Sequence, residues 1–162
     1  MQEQTQQPPI DMVAPLLALP PAEPIVHRLQ GEGIVVRRAK VWERPQLREF
    51  IKQRFAAGWV EEASVAFGNK PISAFLAFHG IEIVGFAAYE CTYRGLFGPV
   101  GVDEAYRGRD MATALLLRCL EAMRAEGYIY SIIGLAGPRR FFEKACGAIA
   151  VPEDWPKYIF DG

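Results

Sequence analysis

Histidine and cysteine are scarce in this 162-residue chain, which has two of the first and three of the second. His27 and His79 lie far apart, and Cys91, Cys119 and Cys146 have no short ligand spacing, so a metal site or a Ser-His-Asp arrangement lacks its residues. Reduced thiols in a cytoplasmic setting are the expectation. Charge of one sign is missing too: 18 Lys and Arg stand against 19 Asp and Glu, leaving no strong field to draw in nucleic acid or an anionic membrane. No apolar run suits a bilayer. The nearest stretch, "MVAPLLALPPAEP", follows a Gln-rich opening, has no basic segment before it, and is broken by Pro15, Pro20 and Pro21. Neither membrane nor nucleic-acid partners are expected.

Apolar residues make up 51% of the chain, with ten Phe, six Tyr and three Trp, enough for a single core. Residues 1–24 carry Gln and Pro where a core would need periodic apolar side chains, and read as a flexible or surface-laid arm. Residues 25–162 read as one domain. "GIVVRRAK" is a strand, and "RPQLREFIKQRF" a helix with Leu47, Phe50, Ile51 and Phe55 on one face. A short helix around Glu61 to Phe67 follows. "ISAFLAFHG" and "IEIVGFAAYECTYRG" form an antiparallel pair about Gly80, and "LFGPVGV" adds a third strand.

The clearest helix follows that strand. Ala112, Leu115, Leu116, Cys119, Leu120 and Met123 recur at the spacing of a buried face, opposite Arg118, Glu121 and Arg124, until Gly127 stops the run. "YIYSIIGLA" is a further strand, so strand, helix and strand make a right-handed parallel crossover. Pro138 then opens a short helix through "RRFFEKACGA", with "AIAVPEDWPKYIF" as a last extended stretch whose "KYIF" offers a strand for pairing across a homodimer. The fold class is α/β, a mixed sheet with an antiparallel meander and a parallel strand-helix-strand core.

A glycine-containing turn from strand into helix leaves the first N–H groups without intrahelical partners, and the helix dipole favours an anion there. By itself such a turn equally serves solubility and capping. The order of elements, with "YRGRDMATALLLRCLEAMRAEG" and the later "GPRRFFEKACGA", resembles the GNAT superfamily of acyl-CoA-dependent N-acyltransferases over residues 33 to 160. Its signature is Arg or Gln, two residues, Gly, one residue, then Gly or Ala; Arg107 and Ala112 match it. A second signature, an aromatic pair, Glu-Lys and a glycine three on, appears as Phe141, Phe142, Glu143, Lys144 and Gly147.

The resemblance implies the GNAT fold and an acetyl-CoA co-substrate without a metal. It implies that Arg109, Asp110, Met111, Ala112 and Thr113 hold the pyrophosphate on their backbone amides, with Arg107 and Gly108 shaping the turn. Val100, Gly101 and Val102 are implied to hold the pantetheine arm, on a strand splayed from "YIYSIIGLA". The acceptor implied is a primary amine of a small molecule or peptide, attacking directly.

Two departures qualify this expectation. Asp110 stands at the signature glycine, where a carboxylate about 5 Å from a phosphate costs on the order of 1 kcal/mol in water; a loss of about tenfold in affinity is expected. Alternatively, Asp110 caps its own helix and occupies the anion site. Phe142 stands where relatives often place a tyrosine acid, and Leu135 near their frequent asparagine. Glu90 is the candidate base, at the end of the strand beside the coenzyme strand; its plainer role is an edge residue paired with Arg94. Tyr89 and Tyr93 are candidates for the amine pocket or for packing, and Glu61 and Glu62 for the acceptor wall or a charged helix turn. A catalytically weakened acyl-CoA sensor is the rival reading. A nucleotide-binding protein is disfavoured for want of a Walker lysine-threonine pair.

Overall fold

The computed structural model describes residues 8–155. Within them, the segment read as an arm is structured from Ile10 onward. Ile10–Pro15 forms strand β1, Leu16–Ala18 a 3₁₀ turn and Glu23–Gly31 helix α1. Met12, Ala14 and Leu16 are fully buried, a period-two pattern that places every second side chain in the core. The prolines that suggested a loose arm bound these elements instead: Pro15 ends β1, and Pro24 sits in the first turn of α1, where a missing N–H costs nothing. Residues 1–7 of the arm, and the "KYIF" proposed for dimer pairing, lie outside the described residues.

The remaining elements follow the order read from the sequence, although the helix expected around Glu61 to Phe67 starts four residues earlier and gives way to a 3₁₀ turn at Val65–Gly68. Strand β2 spans Ile34–Arg38, helix α2 Arg44–Arg54 and helix α3 Ala57–Ser64. Strands β3 (Ala74–His79), β4 (Glu82–Tyr89) and β5 (Leu96–Val102) make the meander. Helix α4 covers Met111–Ala125, strand β6 Tyr130–Ala136, helix α5 Arg139–Cys146 and strand β7 Ile149–Ala150. Phe55 departs from expectation: α2 stops at Arg54, and Phe55 is extended.

The sheet order is β2-β3-β4-β5-β6-β1-β7, with β5 and β6 parallel and the other pairs antiparallel. Strand β1 thus lies between β6 and β7. One face of the sheet is covered by α1, α4 and α5, the other by α2 and α3. Successive residues of β4 serve opposite layers, Val84 and Ala87 packing towards α4, and Ile83 and Phe86 towards α2. Salt bridges tie α1 to α4 and its leading turn, Glu23 to Arg118 at 2.6 Å and Arg28 to Asp110 at 2.9 Å.

Candidate functional site

Strands β5 and β6 are paired only at Leu96 with Ile132 and Phe97 with Ile133. Beyond these pairs both strands bulge. The register of β5 against β4 shifts between the Ala87–Val100 and Tyr89–Phe97 pairs, leaving an extra residue at Gly98 and Pro99. On β6 the register against β1 shifts between Ile10–Ala136 and Met12–Ile133, leaving an extra residue at Gly134 and Leu135. A bulge bends its strand and ends regular pairing. Two bulges at the same level therefore part the parallel strands, and a cleft of about 590 Å³ opens between them.

Val100, Gly101, Val102, Arg107, Ala112 and Phe142 all line this cleft. Gly101 has a steric role: a Cβ there would lie 2.6 Å from Cζ of Phe55, whose ring crosses the strand at that point. Phe142 is buried and meets Phe141 edge-on, with ring centroids 4.9 Å apart. Met111 does not line the cleft, its side chain being in the core. Gly108, Arg109, Asp110 and Thr113 belong to the turn and first helical residues but do not line the cleft.

The turn begins at Asp103, whose carboxylate accepts the Ala105 N–H at 2.9 Å and pairs with Arg54 at 2.6 Å. Those two contacts, the Ala105 N–H first, hold its carboxyl below the usual range. Gly108 follows at φ +81° and Asp110 at +61°, both in the left-handed region. Aspartate is among the few side-chain-bearing residues that tolerate that conformation. Asp110 precedes α4 rather than standing in its first turn, and it makes no side-chain cap bond. Its carboxylate is held instead by Arg28 of α1, at 2.9 Å, while the same guanidinium donates to the Arg109 carbonyl at 3.1 Å. The self-capping alternative is thereby overturned. Charge compensation for Asp110 comes from Arg28, 82 positions earlier in the chain. Helix geometry leaves the N–H groups of Met111, Ala112 and Thr113 without intrahelical acceptors.

Other expected positions are placed elsewhere. Glu90 takes φ +58° in the β4–β5 turn; its carboxylate accepts the Gly95 N–H at 2.7 Å, and it bonds the Tyr128 hydroxyl, which raises the Tyr128 pKa. It fastens a turn and does not line the cleft. Tyr89 is fully buried beneath the sheet, donating to Glu126 at 2.8 Å and accepting from Arg38 at 3.0 Å, with burial pushing its pKa up. Tyr93 is exposed outside the cleft. Glu61 pairs with Arg48 at 3.0 Å, and Glu62 accepts from the Thr92 hydroxyl. Burial raises the thiols of Cys119 and Cys146, and among the described residues no group of three or more His, Cys, Asp or Glu could hold a metal ion.

The model of the acetyltransferase (GNAT) family matches residues 34–148. The chain belongs to the GNAT acetyltransferase family. Solved structures agree on this fold. The GCN5-related glucosamine N-acetyltransferase region of a fungal multi-domain GH3 β-N-acetylglucosaminidase matches with a TM-score of 0.72 and 14% identity, over 90% of this chain and 20% of that one. A GCN5-related N-acetyltransferase from Sphaerobacter thermophilus matches with a TM-score of 0.64 and 22% identity, over 90% and 50%. One from Kribbella flavida gives 0.57 and 14%, over 89% and 55%. This chain therefore spans about a fifth to just over half of those chains. No curated protein matches it in sequence.

In this GNAT chain the matched region starts at β2, so β1 and α1 precede it. These two elements supply two contacts that sequence reasoning missed, Arg28 on Asp110 and Asp11 on Leu135. Phe55, Trp59 and Phe97 were missed as lining residues. Phe55 carried the only signal, the last apolar residue of the α2 stripe, and the end of that helix redirected it.

Proposed function

We propose that this GNAT chain transfers an acetyl group from acetyl-CoA to a primary amine by direct attack. The observation that carries the reading is the start of α4: three N–H groups without intrahelical partners beside Arg107, with the Asp110 carboxylate turned away to Arg28. An anionic diphosphate suits that position. The backbone of Val100 to Val102 along the parted strand supports binding of an amide-bearing pantetheine arm, as an unpaired strand edge binds a peptide. The amine nitrogen bonds to the thioester carbonyl carbon, the C–S bond breaks, and the proton released from nitrogen passes to the departing thiolate through water. A cysteine intermediate is disfavoured, because Cys119 and Cys146 are buried. Three free thiols also favour the cytoplasm.

Thermal unfolding with acetyl-CoA tests the reading. A ligand at about 100 times its dissociation constant stabilises the fold by ~2.7 kcal/mol. An unmoved transition at millimolar acetyl-CoA would overturn it.

Phe142 favours a second reading, an acyl-CoA sensor with weakened transfer, because the position that relatives often give to a tyrosine presents no hydroxyl to the cleft. Release of free CoA thiol with an amine separates the two: a sensor binds acetyl-CoA and releases none.

A further inference from the structure

The cleft crosses the sheet, and its two ends differ chemically. Arg107 and the start of α4 mark the donor end. On the α2–α3 side the wall is Phe55 stacked on Trp59, with ring centroids 5.4 Å apart and an interplanar angle of 25°. Leu135 on β6, and Phe142 of α5 on the opposite face of the sheet, continue the apolar lining. Among the described residues, Arg107 is the only ionisable side chain lining the cleft.

Carboxylates on the bordering elements are committed elsewhere. Glu61 is paired with Arg48, Glu62 with the Thr92 hydroxyl, Glu90 with the Gly95 N–H, Asp103 with Arg54, Asp110 with Arg28, Glu49 with the Gln53 amide, and Asp11 with the Leu135 N–H. Glu143 is on the exposed side of α5. An alkylammonium ion entering this wall would lose hydration without gaining a counter-charge. An amine of lysine-like basicity, pKa about 10.4, is almost wholly protonated at neutral pH and would first have to lose that proton. No described carboxylate or imidazole in the cleft takes it.

Resting on the N-acetyltransferase reading, we propose that the acceptor is a weakly basic aromatic amine whose ring lies against Phe55 and Trp59, with its nitrogen at the parting of β5 and β6. Such an amine shares its lone pair with the ring and is uncharged at neutral pH, so it attacks without prior deprotonation. Its flat apolar body matches the aromatic wall. After attack the nitrogen carries a positive charge and becomes strongly acidic. It loses its proton to water or to the departing CoA thiolate as the C–N bond replaces C–S. Aromatic faces also attract cations, which makes a basic amine the alternative to separate.

The experiment follows CoA thiol release by the full chain with acetyl-CoA and p-toluidine, benzylamine or putrescine, alongside calorimetry of p-toluidine with the CoA-saturated protein. At pH 7, kcat/KM for p-toluidine should exceed that for both basic amines by about tenfold or more, the scale on which apolar pockets discriminate. Its rate should be level between about pH 6 and 9, while that of benzylamine climbs as the free base forms. Trp59→Leu should raise KM for p-toluidine and leave KM for acetyl-CoA unchanged, and Trp59→Phe, a milder change, serves if that variant does not fold. Faster turnover of putrescine or benzylamine, or CoA release without p-toluidine binding, would overturn the inference and leave acetyl transfer standing. Binding of p-toluidine with no CoA release from any amine would instead sink the transfer reading on which the inference rests.

Discussion

The carboxylate of Asp11 accepts the Leu135 N–H at 2.9 Å, joining a strand outside the family-matched region to the bulge that parts β6 from β5. Asp11 is buried, and Leu135 is held at φ +46°, a conformation costly for a residue with its side chain. Asp11→Ala leaves that N–H without its acceptor and should destabilise the fold by about 1–3 kcal/mol. KM for acetyl-CoA should rise as the cleft wall relaxes. Asp11→Asn keeps an acceptor oxygen and should restore most of both. Urea unfolding and steady-state kinetics on the two variants provide the check.

Asp110 and Arg28 form an exposed pair, so their contact contributes little to stability, about 0–1 kcal/mol. Its effect should appear in binding instead. Arg28→Ala frees the carboxylate beside the anion site and should weaken acetyl-CoA several-fold, while Asp110→Gly removes the charge and suits the left-handed backbone, and should tighten binding by up to about tenfold. Calorimetric titration of both variants tests the opposed signs.

Gly101 and Phe55 are coupled by contact. Gly101→Ala brings a methyl group to 2.6 Å from the ring and should cost about 1–3 kcal/mol through overpacking. Adding Phe55→Leu should recover part of that loss, giving a non-additive double-mutant cycle in denaturant unfolding. Simple additivity would mean that the ring moves aside freely.

Phe142→Tyr should raise kcat if the want of a donor for the leaving thiolate limits turnover, within the ~100 to 10,000-fold range of general acid catalysis. KM for acetyl-CoA should stay near its original value. An unchanged acetyl-transfer rate constant in single-turnover experiments would remove the donor from the list of limiting factors.

Glu43 supplies a pH-dependent contribution to stability. Burial acts to raise its pKa, but the Arg37 fork, at 2.5 and 3.0 Å, and the Lys40 N–H outweigh burial and leave it lowered. A depressed folded-state pKa means that the contribution is complete above the ordinary glutamate range and fades as pH falls through the folded value. Glu43→Gln should therefore destabilise the protein at pH 7 and lose its effect in strong acid. Urea midpoints for both proteins across that range measure the convergence.

Much of the scaffold and one half of the site were legible from residue order. The buried stripe of α4, the meander about Gly80, and the turn from Arg107 to Ala112 are short-range features, because helical and strand periodicities repeat within a few residues. The end of the cleft lined by Arg107 and Ala112 follows from that turn. Glu90 illustrates what was not legible: its chain position suggested a base, but a left-handed turn directs its carboxylate to Gly95.

From β2 onward the sequence by itself determined the element types, their order and the helix N-terminus suited to an anion, since each depends on local backbone preference. Only the tertiary structure decided that residues 10–31 join the sheet and its flank, that Arg28 draws Asp110 aside, and that Phe55 and Trp59 wall the cleft. The reason is distance along the chain: Arg28 meets Asp110 across 82 positions and Asp11 meets Leu135 across 124, and no local pattern specifies a partner so remote.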